Sequence, residues 1–180
     1  MKLTSLCAVF GLTTLTLVLS TNPSFSQDAI KFSCQSTFNE SSGKNDLPTT
    51  VAYVPRRGGY VRVIGWKSKI MGSGWNPQKR CQVVSQKFQD LYTEVKYLTI
   101  GKNNGYDVIC AVKKTSEYCN NKNQLFTVNY NSNPQTVLLK LTHTLQGGGG
   151  SPILQNGAKI YVKITDLLEN GSIVEVDHNQ

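Results

Sequence analysis

Histidine is nearly missing from this sequence of 180 residues, with His143 and His178 its only two. His143 falls inside an expected helix and His178 in a polar tail, neither beside an obvious nucleophile, which argues against Ser–His and Cys–His hydrolytic arrangements. A C-x-x-C pair is absent, and with it the usual dithiol redox motif. Zinc-type cysteine spacing is absent too: the closest two cysteines of the mature chain are Cys110 and Cys119, and the histidines do not accompany them. There is no G-x-x-x-x-G-K-[ST] and no G-x-G-x-x-G, so Gly72-Ser73-Gly74, although it precedes a helix start, is not a nucleotide loop. None of the 11 carboxylates sits in a recognisable glycosidase setting. On these grounds no catalytic residue, no metal ligand and no cofactor is expected.

Acid is the second scarcity. Lys and Arg number 19 against 11 Asp and Glu, a formal net charge of +8. Between Asp46 and Asp90 there is no acidic residue at all, while the interval holds Arg56, Arg57, Arg62, Lys67, Lys69, Lys79, Arg80 and Lys87, with Tyr53, Tyr60, Trp66 and Trp75 interleaved. A basic, aromatic-bearing surface suits phosphate, sulfate or carboxylate groups. Arg56, Arg57, Arg62, Trp75, Lys79 and Arg80 are therefore candidate anion-binding residues, the alternative being plain solvated charge on strands and a helix.

Long apolar runs are confined to the start. Lys2, the apolar stretch 3–19 and the small-x-small site Ser24-Phe25-Ser26 form a signal peptide over 1–26, cleaved before Gln27. Thr13, Thr14 and Thr16 interrupt the stretch, which barely reaches spanning length. Loss of Lys2 leaves a net charge of +7. Export to the periplasm or the cell exterior, free or peripheral to a membrane, turns the expected partner from nucleic acid toward an anionic polysaccharide, a membrane surface or an acidic protein.

The mature chain keeps Cys34, Cys81, Cys110 and Cys119, and an even count behind a signal peptide favours two disulfides, with three possible pairings. The chain's organising segment is an amphipathic helix over 76–92. Asn76 caps it, Pro77 takes its first position, and Cys81, Val84, Phe88 and Leu91 form its apolar stripe; Gln82, Gln86 and Gln89 face elsewhere. Asn133-Pro134-Gln135 repeats the device and opens a second helix running to Leu145. Strands are expected at 31–35, 49–54, 60–66, 95–100, 106–112, 125–130 and 159–164. A polar loop fills 39–46, Asn104-Gly105 turns a hairpin, and Thr165 caps a short helix at 166–169. In 61–66 Val61, Val63 and Gly65 alternate with Arg62, Ile64 and Trp66, so one face is less sharply apolar than usual, whereas 108–112 is apolar on both sides and so reads as interior. The fold class is α+β: a mostly antiparallel sheet of about six to seven strands with two main helices packed on it, in a single domain over 27–170 with two disulfides and a flexible tail at 171–180. Asn39-Glu40-Ser41 and Asn170-Gly171-Ser172 match the glycosylation acceptor pattern.

Phe32-Ser33-Cys34, Thr50-Val51-Ala52, Trp75 with Pro77-Gln78-Lys79-Arg80-Cys81, Val84-Ser85-Gln86-Lys87-Phe88, and Asn104-Gly105-Tyr106 with Val108-Ile109-Cys110 together resemble the cyanobacterial circadian oscillating protein domain family. Cys119, Leu125-Phe126-Thr127 and Tyr161-Val162 continue the likeness, which covers about 31–168. The resemblance implies export in a cyanobacterium and a shared fold; it brings no activity and no catalytic residue. Two functions follow as expectations: an exported non-catalytic domain binding an anionic envelope component or acidic protein through the basic region, or a hydrolase-like enzyme with an unrecognised site.

Overall fold

Among the described residues, short extended segments alternate with three α-helices. In order these are β1 (Lys31–Asn39), β2 (Lys44–Val54), β3 (Gly59–Gly65), α1 (Pro77–Leu91), β4 (Tyr97–Asn103), β5 (Tyr106–Val112), β6 (Gln124–Thr127), α2 (Pro134–His143), β7 (Ile153–Gln155), β8 (Lys159–Lys163), α3 (Ile164–Asn170) and β9 (Ile173–Val174). The computed structural model describes residues 30–67, 74–143, 153–155 and 159–177. The expected signal peptide, Gly72-Ser73, the end of the second helix beyond His143, and His178 lie outside them. The α+β class holds. The strands divide between two antiparallel sheets, one in the order β1-β2-β3-β9 and the other β6-β5-β4-β8-β7.

Both helix starts form as expected. Asn76 Oδ1 accepts from the Lys79 N–H at 2.8 Å and Asn133 Oδ1 from the Thr136 N–H at 2.9 Å, each removing one orphan donor ahead of a proline-led first turn. On α1 the residues Cys81, Val84, Ser85 and Phe88 are buried and Leu91 is half-buried against the same core. Phe88 stacks on Phe32 of β1 with ring centroids 5.1 Å apart. Burial of Val84 and Phe88 contributes about 1.5–3 kcal/mol each. The Thr50 hydroxyl accepts from both Ser85 Oγ and Trp66 Nε1 at 3.0 Å, so the polar members of this core are satisfied. Cys34–Cys81 then ties α1 to β1.

The second sheet carries α2 through Leu138 and Leu141 on the face that shares this core. Its β5 is flanked by β6 and β4 and buried on both sides, as its uniform apolarity requires. On the opposite face Val108, Cys110, Val112 and Tyr161 make a smaller core. Cys110–Cys119 closes it, and Tyr161 Oη donates to the carbonyl of Thr115.

Several local expectations change. The polar loop 39–46 contracts to a turn at 40–43, because Asn39 pairs with Lys44 and Gly43 supplies a φ of 66°. β3 contains a bulge: Thr50 pairs with Ile64 but Val51 with Arg62, which leaves Val63 as the extra residue. The phase shift sends Val61, Val63, Ile64 and Trp66 all into the core, which is why strict alternation looked indistinct there. α3 begins at Ile164, with Lys163 in the capping position and no side-chain cap, so Thr165 lies inside the helix. Residues 171–177, expected as a flexible tail, supply β9, and the Asp177 N–H donates to the Ser36 carbonyl at 3.1 Å. The chain thus crosses from the β3 edge of the first sheet to β1.

Candidate functional site

The register of β1, β2 and β3 lays out rows of side chains on the face of the first sheet turned away from α1. Phe32 and Ala52 point into the core, so their neighbours point out. Lys31 pairs with Tyr53 and Tyr53 with Tyr60; Ser33 pairs with Val51 and Val51 with Arg62; Gln35 lies opposite Thr49. The rings of Tyr53 and Tyr60 are 5.2 Å apart and tilted by 57°. Lys31, Ser33, Gln35, Tyr53 and Tyr60, joined at the β1 edge by Phe32 and Gln89, line an open groove of about 610 Å³.

The polar chemistry of this groove is one-sided. No acidic residue lines it. Gln89 Oε1 accepts from the Phe32 N–H at 2.8 Å, an edge-strand donor that would otherwise be unpaired, and the Gln89 Nε2 hydrogens remain available as donors. Gln35 Nε2 donates to Ser33 Oγ at 3.2 Å. In the next row Arg62 Nη2 reaches Thr37 Oγ1 at 3.5 Å, and that hydroxyl is paired with Thr49 Oγ1 at 2.7 Å. Arg62 Nε is buried and meets no hydrogen-bond partner among the described residues. A buried guanidinium donor left open is an uncommon feature and one that a bound anion or water would satisfy.

The six residues singled out from the sequence do not converge. Arg62 lies on the same face of the sheet but outside the groove lining, beyond the fully buried Val51 with which it pairs. Arg56 is exposed and does not line the groove; its charge acts on Tyr92, whose hydroxyl burial holds above the usual tyrosine range. Arg57 is taken up structurally, its Nη1 donating to the carbonyls of Leu168 and Gly171 at 2.9 and 2.6 Å. Trp75, Lys79 and Arg80 lie at the start of α1, while Tyr92 follows its end, and a 15-residue helix spans about 22 Å. There Lys79 is exposed and Trp75 is half-exposed, but Arg80 lies over the buried Trp66 ring, 5.2 Å from its centroid, and burial holds its pKa below the usual guanidinium value. Lys87, from the same basic interval, donates to the Gln124 carbonyl at 3.0 Å and ties α1 to β6.

Lys31, Ser33, Gln35 and Gln89 were missed by the sequence reading. The first three carry a signal in the alternation Lys31-Phe32-Ser33-Cys34-Gln35, which marks one polar face beside the core-facing Phe32 and Cys34. Gln89 carries none, because its role depends on the β1 edge lying beside α1.

Among the described residues no group of three or more His, Cys, Asp or Glu is placed to hold a metal ion, and no helix is long and apolar enough to cross a membrane. Two disulfides suggest an oxidising environment. The fold and face define a class: a disulfide-linked, two-sheet α+β domain with a basic, tyrosine-bearing groove. The chain belongs to the family described as Circadian oscillating protein COP23, whose model matches residues 31–169. No curated protein and no solved structure matches it.

Proposed function

We propose that the protein is an exported, non-catalytic domain that binds an anionic polymer of the cell envelope on the outer face of its first sheet. The signal-peptide pattern over 1–26 and the two disulfides support export. The observation that carries the binding reading is the groove itself: the exposed Lys31 in one row with Tyr53 and Tyr60, the hydroxyl and amide groups of Ser33, Gln35 and Gln89 around them, and no acid in the lining. Hydroxyls, amides and fixed cations hold anions, whereas proton transfer calls for a group that titrates near neutrality. Of the basic interval, Arg57 and Arg80 are held by internal contacts and Arg56 and Arg62 stand outside the lining, so the cation of the groove is Lys31.

Retention of the oxidised protein on immobilised heparin tests this. The expected result is salt-sensitive retention that Lys31→Glu lowers several-fold and Lys122→Glu, the same charge change on an exposed loop of the second sheet, leaves nearly unaltered. Equal losses in the two variants would mean that only net charge is read.

A further inference from the structure

Resting on that reading, we infer that the groove takes an acidic polysaccharide, a chain of pyranose rings bearing carboxylate or sulfate, rather than an unstructured polyanion. Three features separate these ligands. Tyr53 and Tyr60 are tilted by 57° at 5.2 Å, so their faces form a corner rather than a parallel stack. A pyranose presents an apolar C–H face that lies on one ring while its edge rests against the other; a polyphosphate or polypeptide carboxylate has no such face. Tyr53, at 37% exposed, keeps much of its surface accessible for this contact.

The second feature is the neutral polar rim. Ser33, Gln35 and Gln89 offer hydroxyl and amide groups on the β1 side, and Gln89 retains its Nε2 donors after its oxygen is committed to the Phe32 N–H. Sugar hydroxyls, which both donate and accept, match such groups, while a polyphosphate, all acceptor, leaves the amide oxygens unused. The third is charge placement. Lys31, exposed, pairs directly with Tyr53 at the end of the aromatic row. A cation beside, rather than beneath, the aromatic corner receives a substituent on the ring's periphery while the ring itself is stacked.

Affinity electrophoresis of the disulfide-bonded protein with four matched probes decides the matter: polygalacturonate, a sulfated galactan, polyglutamate and polyphosphate. The expected result is that polygalacturonate, the sulfated galactan or both retard the protein at least tenfold more strongly than polyglutamate or polyphosphate. Tyr53→Leu, which keeps apolar bulk but removes the ring, should cut that retardation about tenfold with an unchanged melting temperature; Tyr53→Phe, which keeps the ring, should retain most of it. A difference between the two polysaccharides assigns carboxylate or sulfate. Retardation by polyglutamate or polyphosphate as strong as by the polysaccharides, or indifference to Tyr53→Leu, overturns the glycan assignment and leaves the anion reading standing. Absence of retardation by all four overturns both.

Discussion

Arg57 Nη1 donates to the main-chain carbonyl of Gly171 at 2.6 Å, across 114 residues of sequence. The same nitrogen bonds the Leu168 carbonyl, so a charge that reads as surface instead satisfies acceptors at the end of α3 and fastens the approach to β9. Cations at helix C-termini are favoured both as donors and by the helix dipole. Arg57→Ala is therefore expected to cost about 1–3 kcal/mol in denaturant melts, the range for hydrogen bonds from a charged donor, while exposed Arg56→Ala stays within about 0.5 kcal/mol. Matching small losses would show that the arginine contributes nothing to closing the first sheet.

The stacked pair Phe32 and Phe88 gives a second expectation. Phe88→Ala empties an aromatic core site at 1% exposure and should cost about 3–5 kcal/mol. Gln82→Ala, on the exposed side of α1, should stay within about 0.5 kcal/mol. Gln89→Ala should fall between, at about 1 kcal/mol, because the Phe32 N–H loses its acceptor. Urea denaturation of the three variants ranks them, and a Gln89 loss no larger than that of Gln82 would remove the edge-capping role.

What was legible in the sequence is what depends on near neighbours. Asn76-Pro77 and Asn133-Pro134 announce helix starts because cap and first turn are local, and the stripe through Cys81, Val84 and Phe88 announces a buried face because its period is intrinsic to the helix. Pairing of Cys34 with Cys81 was not legible, since it requires the register of β1 beneath α1. The β3 bulge hid the inward set Val61, Val63, Ile64 and Trp66, for a one-residue insertion inverts the pattern that is being counted. The basic interval misled for a related reason. Sequence proximity of Arg57, Arg62 and Arg80 says nothing of the distance that a hairpin and a helix put between them, and two of the three are engaged internally. The aromatic part, Tyr53 and Tyr60, was visible in the sequence, but their meeting depends on the hairpin register.

Asp46 supplies a pH test. Hydrogen bonds from Asn39 Nδ2 at 2.7 Å and then Ser42 Oγ at 2.8 Å hold its carboxyl below the ordinary aspartate value of 3.8. A folded pKa below the unfolded one means that the unfolded chain binds more protons in the interval between them, so stability rises with pH there. The contribution is complete above the unfolded value and disappears as pH falls through the lower folded value. The stability difference between the native protein and Asp46→Asn, followed from neutral pH into acid, should shrink across that window; a constant difference would mean that the carboxylate's charge is immaterial to the β1–β2 turn.

Full oxidation of Cys34, Cys81, Cys110 and Cys119 is expected to block their alkylation before reduction, and proteolytic mapping should recover Cys34–Cys81 and Cys110–Cys119. From loop length alone, removing the first, with a sequence separation of 47, should cost about 4 kcal/mol and the second, with a separation of 9, about 3 kcal/mol. Intact-mass measurement with an alkylating reagent reads the first claim directly. A labelled thiol at any of these four positions in the unreduced protein sinks it.

Gly101 on β4 lies under the second disulfide: a Cβ there would collide with Cys119 Sγ and stand 2.7 Å from Cys119 Cβ. Nothing in its backbone conformation demands glycine, since its φ is not positive, so the requirement is one of space alone. Gly101→Ala must therefore displace a residue that Cys110 anchors to the buried face of β5, and overpacking of this kind costs about 1–3 kcal/mol. Gly65→Ala is the natural comparison. Its added Cβ meets the flexible end of Leu47 at 3.2 Å, which can move aside, and the loss should stay within about 1 kcal/mol. Combining Gly101→Ala with Cys110→Ala and Cys119→Ala frees the loop to retreat, so the alanine penalty should fall to less than half its value in the oxidised protein. If the penalty is the same with and without the disulfide, the close approach of Cys119 is not what keeps position 101 a glycine.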